Sequence, residues 1–424
     1  MLDLWRTPLH ADDLIERARR HTGLGDFGGT PFHDGLCAFL SACVGEAELS
    51  LFGRLGTRWD VVRFLSNLLR LHFEEVQVPA ILDQPIERPI FITGLPRSGT
   101  TFLHRVLAED PANRVPRVWE LIHPYPAARS NRSGDGRQRR VARQLRMFEL
   151  LAPEFRSLHP INAGSPQECS EINAHIFAST RFDTTYFVPS YRRWLDDIGH
   201  LDAYRFHKRF LQHLQYQSGS PGRWVLKCPD HVFALAEIRA VYPDARVVFV
   251  HRDPLQVLPS LIRLTEVLRR PFSKHIDREA LGRQESERWR TGVELMIDAA
   301  QEQPFAEPIF HVHHRSLIED PLGTVENLYQ HFSLTLDPVA AARISQMVAE
   351  SPNGGYGSNR YSPEDYQIDL TVERERYAAY TEYFGMEVPP VRAPAGSHSR
   401  AASYPFAGRP CSEQGDDVPD IARI

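Results

Sequence analysis

The sequence predicts an α/β fold, a parallel sheet flanked by helices with an N-terminal helical segment in front of it. Three observations carry this. The runs IFIT (90–93), WVL (224–226) and VVFV (247–250) are apolar throughout, as strands buried on both faces must be. Stretches with helical spacing alternate with them, the pattern a parallel sheet needs. Between the first strand and the first of those helices lies GLPRSGTT (94–101), a glycine-bounded loop with the layout of a P-loop.

Taken in order, residues 1–86 read as helical, because LCAFLSACVGEAELSLFGRL and WDVVRFLSNLLRLHFEEV repeat apolar residues every three or four positions. Pro79, Pro85 and Pro89 end that pattern. A helix is expected over 100–109, with Phe102, Leu103, Val106 and Leu107 as its inward stripe and Pro111 as its stop. Residues 166–218 read as mainly helical. Helices are also expected over 232–242, 255–268 and 324–332, and a fourth strand over 309–313. Pro259 is placed near the first turn of its helix, where proline is tolerated. From 393 onward, PAGSHSRAASYPFAGRPCSEQGDDVPD is too polar and turn-rich to build a core and reads as a disordered tail. The expected division is a helical segment 1–86 packed on the core, an α/β domain 87–392 and a tail 393–424.

Composition narrows the function. The chain has 424 residues, a net charge of −5 and 42% hydrophobic residues, so it holds a large core and has no global attraction for nucleic acid. No apolar run is long enough to span a bilayer, and the N-terminus lacks the charged and apolar regions of a secretory signal. The five cysteines, Cys37, Cys43, Cys169, Cys228 and Cys411, have neither metal-ligand spacing nor the look of a disulfide framework. The expectation is a cytoplasmic protein without a structural metal. Among 49 Lys and Arg residues only Lys208, Lys227 and Lys274 are lysine. In so arginine-rich a chain, a retained lysine marks a place where a compact ammonium differs from a planar guanidinium. Residues 129–146 hold seven arginines and read either as a solvated face or as a rim attracting anions.

In parallel sheets ligands bind at the carboxyl ends of the strands. The 94–101 loop, Lys227 and Arg252 all fall at such ends. Gly94 and Gly99 have the spacing of an anion nest leading into a helix N-terminus. An ATP-binding loop would put lysine at 100, whereas this chain has Thr100 and Thr101 and carries its cation inside the loop, at Arg97. A second anion site is read in HRDPLQVLPS, where Arg252 and Ser260 could grip one phosphate; the alternative pairs Arg252 with Asp253 and makes Ser260 a helix cap. Two anion sites on separate strands suit a nucleotide bisphosphate.

With these residues in place, PIFITGLPRSGTTFLHRVLAEDP, WVLKCPDH, PDARVVFVHRDP…PS, EDPLGTVENLYQHF and GSNRYSPEDY together resemble the PAPS-dependent sulfotransferase family. The match is to its bacterial-type branch, related to the tyrosylprotein sulfotransferases, and covers roughly residues 30–390. The resemblance implies that Arg97, Ser98, Gly99, Thr100 and Thr101 bind the 5′-phosphosulfate of PAPS, and that Arg252 and Ser260 bind the 3′-phosphate, with Arg360 as a further 3′-phosphate ligand. It implies no metal, which explains the missing lysine and Mg²⁺ site. Expected catalytic groups are Arg97 and Lys227 on the leaving phosphate and Glu120, in Trp119-Glu120-Leu121, as general base. His231 is the second choice of base. Glu120 could instead pair with Arg114 or Arg117. Glu168 and Glu171 are further carboxylates in a segment expected to line the acceptor side, though solvated helix faces explain them equally well. The chain departs from the family at His314-Arg315-Ser316-Leu317, where tyrosine is common at the first position, and at Asn359, where histidine is. The expected partner is a hydroxyl of an alcohol, phenol, sugar, lipid or peptide, and the oligomeric state is open. The competing readings are a small-molecule kinase and a non-catalytic nucleotide-binding protein or scaffold.

Overall fold

A computed structural model describes residues 9–125, 136–151, 153–154, 161–219, 222–350 and 363–386. All of them lie in one compact unit, Met1–Val388. The expected tail and Arg360 fall outside the described residues. Three helices come first, α1 (Ala11–Thr22), α2 (His33–Gly45) and α3 (Leu51–Gln77). The Ser50 side chain caps α3 by accepting from the Gly53 N–H. Strand β1 (Ile90–Gly94) leads through the loop into α4 (Thr100–Leu107). Then follow β2 (Asn113–Arg114), α5 (Val118–Ile122), α6 (Gly136–Leu151), α7 (Leu201–Ser218), β3 (Arg223–Lys227), β4 (Arg246–His251), α8 (Pro254–Arg269), α9 (Arg278–Glu302), β5 (Phe310–His313) and α10 (Pro338–Glu350), with shorter helices between.

The sheet order is β2-β3-β1-β4-β5, and every pairing is parallel. Side chains alternate across it and feed two cores. Phe91, Leu226, Val247 and Phe249 join the core that holds α1–α3, while Ile90, Ile92, Val225, Val248 and Val250 join the one that holds Phe102, Leu103, Val106 and Leu107 of α4. Register pairs Ile92 with Lys227 and Gly94 with Val250, so the loop, Lys227 and Arg252 share one edge of the sheet.

Two glycines make the loop possible. Gly94 has φ +140°, and a Cβ there would sit 2.3 Å from the Val250 carbonyl oxygen. Gly99 has φ +104°, with the His314 ring 3.1 Å from where its Cβ would be. Both backbones occupy the region that favours glycine, and both are closely approached.

The structure differs from the sequence reading in several places. The helix expected over 232–242 is a 3₁₀ turn, Pro229–Ala234, followed by an α-helix, Leu235–Val241. Helix α8 starts at Pro254, so Pro259 lies inside it and denies the Leu255 carbonyl its usual donor. Strand β2, the 25-residue α9 and α10 are all unforeseen. Among the described residues, no helix is long and apolar enough to cross a membrane, and no group of His, Cys, Asp and Glu could hold a metal.

Candidate functional site

The site is built on the carboxyl edge of the sheet. At the end of β4, Arg252 Nη1 donates to the Arg97 carbonyl at 3.0 Å, and Arg97 Nε donates to Ser260 Oγ at 3.2 Å. The two anion sites read from the sequence are therefore adjacent and hydrogen-bonded to each other. Asp253 accepts from the Leu255 N–H at 3.0 Å and caps α8, so Ser260 does not take the capping part. In the loop, Ser98 is fully buried, and its hydroxyl has no hydrogen-bond partner among the described residues. Helix α4 begins at Thr100 without a side-chain cap. A buried orphan hydroxyl, a left-handed Arg97 (φ 65°) and an uncapped helix start are what a bound phosphate would satisfy.

Lys227 ends β3 and is 2% exposed. Its Nζ donates to Thr101 Oγ1 at 3.1 Å and to Glu168 Oε1 at 2.5 Å. Glu168 reaches this place because residues 163–169 lie along the chain ahead of α5 and beside the end of β3. The Gln167 N–H donates to the Pro116 carbonyl at 2.8 Å, the Trp119 N–H to that of Ala163 at 3.0 Å, and the Cys169 N–H to that of Lys227 at 3.0 Å. A buried ion network holds this segment from behind. Arg63 of α3 donates to Asp60 at 2.8 Å and to Glu171 at 2.7 Å, and Arg181 lies 2.7 Å from Asp60 and 2.6 Å from Glu171. Burial pushes the Asp60 carboxyl up, but Arg181 and Arg63 outweigh it and hold it below its ordinary value. Arg63 and Asn67 also donate to the Ile122 carbonyl, at 3.4 and 3.1 Å, so α3 orders the α5 segment as well.

Glu120 lies in that segment, but its contacts are local. Its Oε2 accepts from the Arg117 N–H at 2.9 Å at the start of α5, and Arg114 lies 3.8 Å away. Burial raises its pKa against the pull of Arg114. This matches the pairing alternative. His231 is buried in the 3₁₀ turn, 2.5 Å from the Tyr204 hydroxyl through Nδ1, with Phe91 edge-on to its ring. Burial drives its pKa well below the imidazole norm, so it is neutral and a weak base. His314 packs against Gly99, and its pKa falls to about 4, through burial first and the Arg252 charge second.

An open cleft of about 1320 Å³ runs beyond Thr101. Arg105 of α4 and Ala108 and Glu109 just past its end line it, together with Leu145, Arg146, Glu149 and Leu150 of α6. Residues 161–166, which lead to Glu168, line it as well.

Glu168 is the residue whose place beside Lys227 the sequence obscures. The signal available was its position in a segment expected to face the acceptor; what was missing was its pairing to Lys227, set by backbone docking between distant segments.

With this geometry established, similarity can be weighed. Residues 89–338 match the model of the Sulfotransferase family. The omega-hydroxy-beta-dihydromenaquinone-9 sulfotransferase Stf3 of Mycobacterium bovis is 25% identical over 315 residues, 70% of this chain and 73% of that protein. Crystal structures of two sulfotransferases superpose on the chain. STF1 of Mycobacterium tuberculosis does so with TM-score 0.76 and 31% identity, covering 87% of this chain and 98% of that one. STF9 of Mycobacterium avium has TM-score 0.81 and 28% identity, covering 89% and 97%. The chain belongs to the sulfotransferase family, in its bacterial type.

Proposed function

We propose that the protein transfers the sulfuryl group of PAPS to a hydroxyl of an amphiphilic, lipid-like acceptor, with Glu168 as general base. The observation that carries this reading is Lys227, whose ammonium joins Thr101 at the head of α4 to Glu168, two residues along the chain from Pro166 in the cleft lining. The loop 97–101 takes the 5′-phosphosulfate, and Arg252 with Ser260 takes the 3′-phosphate. Arg360, outside the described residues, is a further 3′-phosphate ligand by resemblance alone.

Sulfuryl transfer resembles phosphoryl transfer, with a loose in-line transition state and charge on the leaving oxygen. Lys227, buried and already bonded to Thr101, is placed to meet charge on the leaving phosphate, which a dry site makes more effective. Glu168 pairs with the same ammonium and is the carboxylate proposed to take the acceptor's proton. As Lys227 turns to the leaving oxygen, the carboxylate is freed for that proton. This reading prefers Glu168 to Glu120, whose carboxylate accepts from the Arg117 N–H at the start of α5, and to His231, which is buried in the core. Arg97, through its bond to Ser260, is assigned to both anion sites.

The lipid-like acceptor is supported by the cleft, whose lining mixes Leu145, Leu150, Ile161 and Met347 with Arg105, Arg117, Arg146 and Arg343. Stf3, by its name, acts on the hydroxyl of a menaquinone derivative. Thermal shift separates this reading from a kinase. PAP, the desulfated product, should stabilise the protein by about 2.7 kcal/mol at a hundredfold excess over Kd, while ATP-Mg²⁺ should not. The reverse ranking would favour a kinase. Release of PAP from PAPS dependent on a long-chain alcohol tests transfer itself, and its complete absence with PAP bound would favour a non-catalytic nucleotide-binding protein.

A further inference from the structure

Helix α6 presents a face that the transfer chemistry does not use. Its inner side, Val141, Ala142, Leu145 and Phe148, packs on α5 and α8. Its outer side carries Arg139, Arg143 and Arg146, then Met147, Leu150 and Leu151, all exposed. Met147 is 68% and Leu150 83% exposed. Arg139, Arg143 and Arg146 make no ion pair among the described residues. The helix holds five arginines and one glutamate, in a chain whose net charge is −5.

A second exposed apolar stripe lies on α3. Leu51, Leu55 and Trp59 of α3, one turn apart, are exposed. The two helices are linked through the half-buried Phe272, whose ring lies 5.3 Å from Phe52 of α3 and 6.3 Å from Phe148 of α6. Towards the other end of the two helices, Arg140 of α6 is close enough to Arg70 of α3 for its charge to add to burial in lowering the Arg70 pKa. The face is therefore apolar at one end and basic at the other. Exposed apolar patches of this kind mark interaction surfaces, and arginines beside inserted apolar side chains suit the boundary between headgroups and acyl chains. Arg146 and Leu150 belong to this face and also line the cleft, so the cleft opens beside it.

We propose that this α3/α6 face docks on an anionic lipid bilayer, with Met147, Leu151 and Leu55 entering the acyl boundary and Arg139 and Arg143 on the lipid phosphates, so that the acceptor passes from the bilayer into the cleft. The proposal rests on the amphiphile reading of the acceptor. It gives a chain with no membrane-crossing helix among its described residues a route to a lipid hydroxyl.

Cosedimentation of the full chain with vesicles tests it without any turnover. The protein should bind vesicles of phosphatidylcholine mixed with phosphatidylglycerol, far less to phosphatidylcholine alone, and less at high salt. Met147→Glu with Leu151→Glu, and separately Arg139→Glu with Arg143→Glu, should each lower partition by about tenfold or more. Stabilisation by PAP, measured without lipid, should stay at the wild-type level in both variants. That lipid-free measurement reports on the donor site alone, so failure of the sulfotransferase reading shows there and not in the vesicle assay. Equal binding to both vesicle types, or variants that bind like the wild type, would overturn the proposal. So would a wild type that ignores vesicles and sediments as a dimer split by Met147→Glu, which would assign the face to a second copy of the chain.

Discussion

Arg97 and Ser260, 163 residues apart in sequence, are hydrogen-bonded at 3.2 Å, and Arg252 closes the same cluster on the Arg97 carbonyl. The proposal that one bisphosphate spans both anion sites rests on this contact. PAP should then bind more tightly than 5′-AMP, which lacks the 3′-phosphate. Arg252→Ala should erase most of that preference, lowering PAP affinity by about tenfold to a hundredfold and AMP affinity little. Calorimetric titration of both nucleotides checks it; an equal loss for both would separate Arg252 from the 3′-phosphate.

The base assignment predicts unequal carboxylates. Glu168→Gln should lower kcat by about 10²–10⁴-fold with PAP affinity retained. Glu120→Gln should cost far less in kcat, because its carboxylate serves the Arg117 N–H at the start of a helix. Steady-state kinetics on both variants decides between them, and a larger loss at Glu120 would return the role to that residue.

Lys227→Arg should be nearly as damaging as Lys227→Ala. The slot is 2% exposed and holds an ammonium between Thr101 and Glu168, where a wider guanidinium cannot keep both bonds. A loss of roughly a hundredfold or more in kcat/KM is expected for either change. Near-wild-type turnover in the arginine variant would show that charge alone suffices.

Glu285 of α9 gives a pH test of stability. It is buried, bonded to Thr265 at 3.2 Å, and burial raises its pKa to about 7. A carboxyl with a raised folded pKa binds its proton more tightly in the folded state. The stability it contributes is present below its unfolded pKa, about 4.3, and is lost as pH rises towards 7. Glu285→Gln should therefore raise Tm at pH 8, with the gain shrinking towards pH 5. A variant less stable than the wild type at pH 8 contradicts this.

The parts of the site that were legible in the sequence are those written in contiguous chain. The buried strands appear as apolar runs, and 94–101 and Arg252…Ser260 lie next to the strands that position them. Glu168 was readable only as one carboxylate among several, because its place depends on 163–169 docking against Pro116 and Lys227. Helix α9 escaped notice for a different reason. Its buried stripe runs through Gly282, Glu285, Ser286 and Gly292 as well as Leu281, Trp289, Val293 and Met296, and those small and polar members dilute the apolar period. The strand of two residues, Asn113–Arg114, is too short to carry any period.

The most direct measurement is a crystal structure of the protein with PAP. One molecule should lie with its 5′-phosphate on residues 97–101 beside Lys227 and its 3′-phosphate on Arg252 and Ser260. A nucleotide touching only one of these sites, or bound elsewhere on the chain, would contradict the assignment of PAPS as donor.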